Sequence, residues 1–145
     1  MSGDRYSAAV ERVVHAPASA IFDLLADPAG HQRIDGSGSV RGVRGGSKRL
    51  SLGDTFSVSM KIGLPYPSSN KVIEFEEDRR IAWQQTLGRQ IWRYELTPVE
   101  GGTLVRETFD GSRYLGRALL GVLGVIPKHR VNMARTLDRV EELLT

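Results

Sequence analysis

The sequence predicts an α+β fold: a curved antiparallel sheet of six to seven strands wrapped around a long C-terminal helix, with two short helices after strand 1. Three observations carry that expectation. Apolar residues recur with a period of two in several stretches between Thr55 and Asp110, as half-buried strands require. The gaps between those stretches are short, so successive strands turn back on one another as hairpins. The tail instead spaces Met133, Leu137, Val140 and Leu144 by four, three and four, the stripe of an amphipathic helix. No parallel strand–helix–strand alternation and no internal repeat is visible.

The elements follow in order. Residues 5–15 read as a first strand. Pro17 suits the first turn of a helix, with Ser19 as a competing start, and Ile21, Phe22, Leu24 and Leu25 give that helix an apolar side. Asp27-Pro28 stops it, and a second helical turn is expected at Gly30–Ile34. Phe56, Val58, Met60 and Ile62 then alternate with polar residues. Leu64-Pro65-Tyr66-Pro67 is expected to interrupt the sheet before a strand at 69–76, whose inward face is ambiguous because Val72 and Ile73 point oppositely. Ile81–Gln85 follows a polar turn. Trp92, Tyr94 and Leu96 alternate with Arg93, Glu95 and Thr97, and Pro98 with Gly101-Gly102 ends that strand. Thr103–Asp110 is the last, with Val105, Glu107 and Phe109 on one face. Leu115, Leu119, Val122, Leu123 and Ile126 then begin a helical pattern that Pro127 should kink or divide.

Composition narrows the function. The chain has 145 residues, the size of one domain, and residues 1–145 are expected to form a single core. Cysteine is absent, which excludes disulfides, thiolate metal sites and a cysteine nucleophile. The formal charge is +3, with 16 Arg and 4 Lys. Arg41, Arg44, Lys48 and Arg49 fall between Asp35 and Asp54 without an intervening acid, but no aromatic residue accompanies them. The stretch therefore reads as solvated loop or edge strand, and no nucleic-acid partner is expected. The longest apolar stretch, Leu115–Pro127, is 13 residues and is too short to span a membrane. With no secretory leader pattern at the start, a cytoplasmic location is expected.

A sheet with one apolar face must cover that face, and the C-terminal helix is the element large enough to do so. A straight helix on a twisted sheet leaves uneven space, so a pocket between them is expected. Its lining would come from Phe56, Val58, Met60, Trp92, Tyr94, Phe109, Leu119, Val122, Ile126 and Met133. The same residues would also serve as ordinary core, because periodicity marks burial and not emptiness. Tyr66, Tyr94, Tyr114, Trp83 and Trp92 add polar handles that can reach a ligand carbonyl.

Chemistry centres on Glu107. If Val105 and Phe109 face inward, Glu107 does too, and a carboxyl in apolar surroundings takes a raised pKa and can work as acid or base. The alternatives are that Leu104, Arg106 and Thr108 form the inward face, or that Glu107 pairs with a cross-strand arginine. His129 lies one turn before Met133 on the helical stripe and can look into the pocket or into solvent. His15, His31 and His129 share no metal-ligand spacing, so no metal is expected. No Gly-x-Ser-x-Gly elbow, dinucleotide fingerprint or phosphate loop is present, and no cofactor is expected.

Three segments together resemble a known superfamily: Val14-His15-Ala16-Pro17-Ala18 leading into Ile21–Pro28, Glu74–Trp83 with its acidic turn and Arg-Ile-Ala-Trp ending, and Gly101-Gly102-Thr103-Leu104-Val105 before the terminal helix. The order of elements over residues 5 to 144 is similar to the START-like, or SRPBCC, superfamily, which includes polyketide cyclases. The resemblance implies a helix-grip fold with a cavity for lipids, polyketides or other hydrophobic molecules. One departure is that the second helix of the family often carries an aromatic near its end, whereas this chain has His31-Gln32-Arg33-Ile34-Asp35. The expected function is binding of a small hydrophobic ligand. One alternative is an aromatase/cyclase-type enzyme that moves protons with Glu107 and Tyr94. Another is a protein-interaction module, similar to the chaperone-activator and toxin-like branches, that uses Leu115–Ile126.

Overall fold

The structure, a computed structural model, describes residues 6–35, 40–44, 49–62, 64–113 and 125–145. Strand β1 is Ser7–Val14, followed by helices α1 (Ala18–Leu25) and α2 (Pro28–Ile34). Strands β2 (Val40–Arg44), β3 (Thr55–Ile62), β4 (Leu64–Glu76), β5 (Arg80–Gln85), β6 (Ile91–Val99) and β7 (Gly102–Asp110) come next. Helix α3 is Val125–Leu144. The strands form one seven-stranded antiparallel sheet in the order β1-β7-β6-β5-β4-β3-β2. The basic stretch thus supplies an edge strand, β2.

Asp27-Pro28 does more than stop the first helix. The Asp27 carboxylate accepts a hydrogen bond from the Ala29 amide at 3.0 Å, and Pro28 occupies the first turn, so α2 starts two residues earlier than expected. Gly30 lies where the two helices abut, since a Cβ there would stand 2.3 Å from the Leu24 carbonyl oxygen.

Two expectations for the sheet need correction. Leu64-Pro65-Tyr66-Pro67 does not interrupt it: β4 already pairs with β3 from Ile62↔Leu64 onward. Prolines spaced by two put both missing N–H groups on the same side of the strand. On that side β5 joins β4 only from Asn70, so the prolines leave no ladder bond unmade. The ambiguity at Val72 and Ile73 is resolved by a bulge. Val72 pairs with Trp83 and Phe75 with Ile81, so three residues on β4 span two on β5. The extra residue lets both Val72 and Phe75 join the core despite their odd spacing.

The two faces of the sheet differ in chemistry. Arg80, Glu95, Arg106 and Glu11 succeed one another across β5, β6, β7 and β1 on the outer face. Arg80 meets Glu95 at 3.3 Å and Arg106 meets Glu11 at 3.1 Å. Beside them the Arg93 guanidinium donates two hydrogen bonds to Glu74, at 2.8 and 2.6 Å, reaching over the small Ala82 between them. The inner face is apolar and carries Val10, Val14, Val72, Ile81, Tyr94, Leu96 and Val105 against α1, Leu137 and Val140. Helix α3 lies on this face, as its apolar stripe requires.

Pro127 is the third residue of α3, and the stretch it was expected to kink or divide from that helix, Leu115–Gly124, lies outside the described residues. Side chains fix the far end of α3. Arg12 on β1 pairs with Asp138, the His15 amide donates to Glu141 at 3.2 Å, and Arg139 donates to the Arg33 carbonyl of α2 at 2.8 Å. The Gly101-Gly102-Thr103 segment also has a structural reason. Gly101 takes φ +83°, a Cβ on Gly102 would fall 2.2 Å from the Val14 carbonyl oxygen, and Thr103 donates to the Ala16 carbonyl at 2.9 Å.

Candidate functional site

Two rows of side chains cross the inner face in the middle of the sheet. The first runs Ala8, Phe109, Trp92, Trp83 and Val72; the second runs Val10, Glu107, Tyr94, Ile81 and Phe75. Period two therefore holds on β7, and Glu107 faces inward with Val105 and Phe109. The alternative facing of Leu104, Arg106 and Thr108 is excluded, and Arg106 spends its charge on Glu11 outside.

Glu107 is 3% exposed. The Tyr94 hydroxyl hydrogen-bonds to it from the neighbouring strand, while its Oε1 has no partner among the described residues. Its pKa is pushed up to about 8, first by burial and further by the charge of Asp35 just past α2, while the Tyr94 hydrogen bond pulls the other way. Glu107 therefore carries its proton at neutral pH. The same surroundings hold the Tyr94 phenol well above its ordinary value, by burial first and then by Glu107. A protonated carboxyl is a hydrogen-bond donor as well as an acceptor, so Oε1 can serve either role.

Two histidines stand on the aromatic row from different helices. His129 of α3 lies over Phe109 at 4.5 Å between ring centroids and over Trp92 at 5.3 Å. Burial lowers its pKa and the adjacent Lys128 lowers it further. Of its two expected orientations, the structure adopts the inward one. His31 of α2 stacks on Trp83 at 4.5 Å with planes 23° apart and meets Phe56 edge-on at 5.3 Å. It also bonds the Leu25 carbonyl through Nε2 at 2.8 Å, which assigns the proton to that nitrogen. Burial lowers the His31 pKa, so the ring is neutral.

The structure gathers Phe56, Trp83, Trp92, Tyr94, Glu107, Phe109, Ile126, His129 and Met133 on the inner side, in or against its two apolar clusters. Val58 and Met60 lie on β3 and Tyr66 on β4, where Met60 pairs with Tyr66 in the β3–β4 ladder. Leu119 and Val122 lie outside the described residues, as does nearly all of Leu115–Ile126. Sequence reasoning missed His31 and Asp35 as neighbours of the site. Their only sequence signal was the break from the family pattern at His31–Asp35, because nothing in local periodicity brings α2 over Trp83. Among the described residues no group of three or more His, Asp and Glu could hold a metal ion, and no helix is long and apolar enough to cross a membrane.

A curved antiparallel sheet gripping one long helix, with a buried acid and aromatic rings between them, defines a helix-grip domain of the START-like class. The sequence pattern of the family described as "Polyketide cyclase / dehydrase and lipid transport" matches residues 5–145, and the chain belongs to that family. It is similar to the protein Rv0088 of Mycobacterium tuberculosis, 40% identical over 108 residues, which cover 73% of this chain and 47% of that protein. The chain thus spans about half the length of the curated relatives it matches. Its fold is similar to that of protein NE0264 from Nitrosomonas europaea, with a TM-score of 0.75, 16% identity and coverage of 97% and 94% of the two chains. It is also similar to an AHSA1-like protein from Aeromonas hydrophila, with a TM-score of 0.69, 17% identity and coverage of 94% and 90%. At those identities the likeness is one of fold.

Proposed function

We propose that residues 1–145 act as a single cytoplasmic domain that holds a small hydrophobic molecule between the concave sheet face and α3. The observation that carries this reading is Glu107, an acid in the middle of an apolar face with an inward oxygen that lacks a partner among the described residues. Leaving such a group unpaired costs about 1–3 kcal/mol, and a polar group on a bound ligand removes that cost. The rings of Trp83, Trp92 and Phe109 offer the apolar contact area such a ligand needs. The lipid-transport part of the family description supports the same class of ligand.

The test is native mass spectrometry of the purified chain, followed by organic extraction. A stoichiometric lipid-like or polyketide-like molecule is the expected result. An empty protein that also fails to bind the neutral apolar dye Nile red would overturn the reading.

A second reading is favoured by the proton on Glu107. With Tyr94 beside it, the carboxyl can act as a general acid toward a bound polyketide, the chemistry of an aromatase/cyclase-type enzyme. Turnover separates the two: a binder returns its ligand unchanged, whereas an enzyme of this kind stops when Glu107 becomes Gln.

A further inference from the structure

We propose that the solvent face of α3, with the adjoining Arg33 of α2, docks on an anionic lipid bilayer. This is the side of the helix turned away from the sheet, so it works whether or not a molecule is held beneath α3.

In sequence the charges of α3 are nearly balanced, with Lys128, Arg130, Arg135 and Arg139 against Asp138, Glu141 and Glu142. Tertiary structure separates them. Asp138 pairs with Arg12 of β1, and Glu141 accepts from the His15 amide and stands 3.9 Å from the same arginine. Two of the three acids are thus spent on the flank that meets β1. The four cations of α3 are exposed, and none has an acidic partner among the described residues. At 3.6 residues per turn, Lys128, Arg135 and Arg139 fall within about 40° of one another, on the side opposite Met133, Leu137 and Val140. Arg139 donates to the Arg33 carbonyl, which sets the exposed Arg33 of α2 beside this ridge. Glu142 is the single acid of α3 left on the same side. The ridge is therefore positive over about 16 Å, and its self-repulsion falls when anions gather on it.

Aliphatic residues interleave with these cations. Val131, 53% exposed, lies three residues after Lys128 and four before Arg135, and Leu143, 39% exposed, follows Arg139 by four. That mixture fits the headgroup boundary of a bilayer, where phosphates meet the cations and aliphatic groups enter the acyl layer. Lipid headgroups also diffuse laterally and collect wherever cations stand, whereas a lone helix ridge is convex and lacks the groove in which a peptide docks. Nucleic acid is the poorer match: no Phe, Tyr or Trp occurs between Val125 and Leu144, so the ridge offers no platform on which a base can stack.

The test is co-sedimentation of the full chain with vesicles of phosphatidylcholine, alone or mixed with phosphatidylglycerol. The mixed vesicles are expected to bind at least about tenfold more tightly at about 0.05 M NaCl, and the difference should vanish at about 0.5 M as the charges are screened. Arg135→Gln and Lys128→Gln should each weaken binding to mixed vesicles about fivefold, the worth of one cation beside an anionic surface. Val131→Ser should weaken it without changing the salt dependence. Lys71→Gln should leave it unchanged, because that exposed cation pairs with Gln84 on the outer side of the sheet. All four side chains are exposed, so thermal unfolding of the variants should match the parent, which separates lost docking from lost fold. Equal binding to the two kinds of vesicle, no binding to either, or a loss in Lys71→Gln as large as that in Arg135→Gln would overturn the proposal. Tighter binding of a single-stranded oligonucleotide or of polyglutamate than of the mixed vesicles would overturn it in favour of that polyanion.

Discussion

Glu107 and Tyr94 face each other across β7 and β6, and the phenol donates to a carboxyl that has no counter-charge among the described residues. This arrangement leaves the protein with a buried acid whose folded pKa, about 8, lies well above its unfolded value near 4.5. Between those two values the unfolded chain releases the proton and the native chain keeps it. Stability therefore falls as pH rises through that window, by up to about 1.4 kcal/mol per pH unit, and levels off above the folded value. Glu107→Gln removes this slope. Thermal unfolding at pH 5, 6.5 and 8 should show the variant gaining on the parent as pH rises, with the largest gain at pH 8. Parallel curves for the two proteins would show that Glu107 is ionised in the native state.

His31 acts on the acid side. Its folded pKa lies below 6.5, so the native state prefers the neutral ring, and stability is lost as pH falls through 6.5 toward the folded value. His31→Phe keeps a ring on Trp83 but leaves the Leu25 carbonyl unpaired, at a cost of about 1–2 kcal/mol at pH 7.5. His31→Ala loses the stack as well and should cost about 2–4 kcal/mol. Both variants should be less sensitive than the parent to lowering pH from 7 to 5.5 in urea unfolding. A His31→Phe protein with the parent's acid sensitivity would move the titration to another group.

The two glycines before β7 should respond differently to a methyl group. Gly101→Ala forces a left-handed conformation on a residue with open space around it, at about 1–2 kcal/mol. Gly102→Ala drives a Cβ into the backbone of Val14, which is held by the β1–β7 ladder and cannot swing aside. Overpacking of that kind typically costs about 1–3 kcal/mol or more, and the strand pairing is lost with it. The midpoint of chemical unfolding should fall further for Gly102→Ala than for Gly101→Ala. Equal midpoints would mean that β1 and β7 can separate there at little cost.

Much of this architecture was legible in the residues. The alternation of Trp92, Tyr94 and Leu96 with Arg93 and Glu95 separates core from solvent on β6, because successive side chains of a strand point to opposite faces. The same rule placed Val105, Glu107 and Phe109 together, and the spacing of Met133, Leu137 and Val140 marked the side of α3 that meets the sheet. These are local properties, set by backbone geometry within one element.

What tertiary structure alone decided concerns relations between elements. Period two could not tell which face of β7 was inward; the pairing of Arg106 with Glu11 and of Val10 with Glu107 decided that. It also failed at Val72 and Phe75, where a bulge against Trp83 and Ile81 brings residues of opposite parity to the same face. Pro65 and Pro67 looked like an interruption because their tolerance depends on a missing neighbour strand, which no local window contains. His31 and Asp35 belong beside Trp83, Tyr94 and Glu107 only because α2 folds back over the sheet. The sequence by itself determined the class of fold, the inner and outer residues of most strands and the apolar stripe of the last helix. The protonation of Glu107 was decided by the tertiary structure, because a pKa answers to the burial and charges brought around a group by distant parts of the chain.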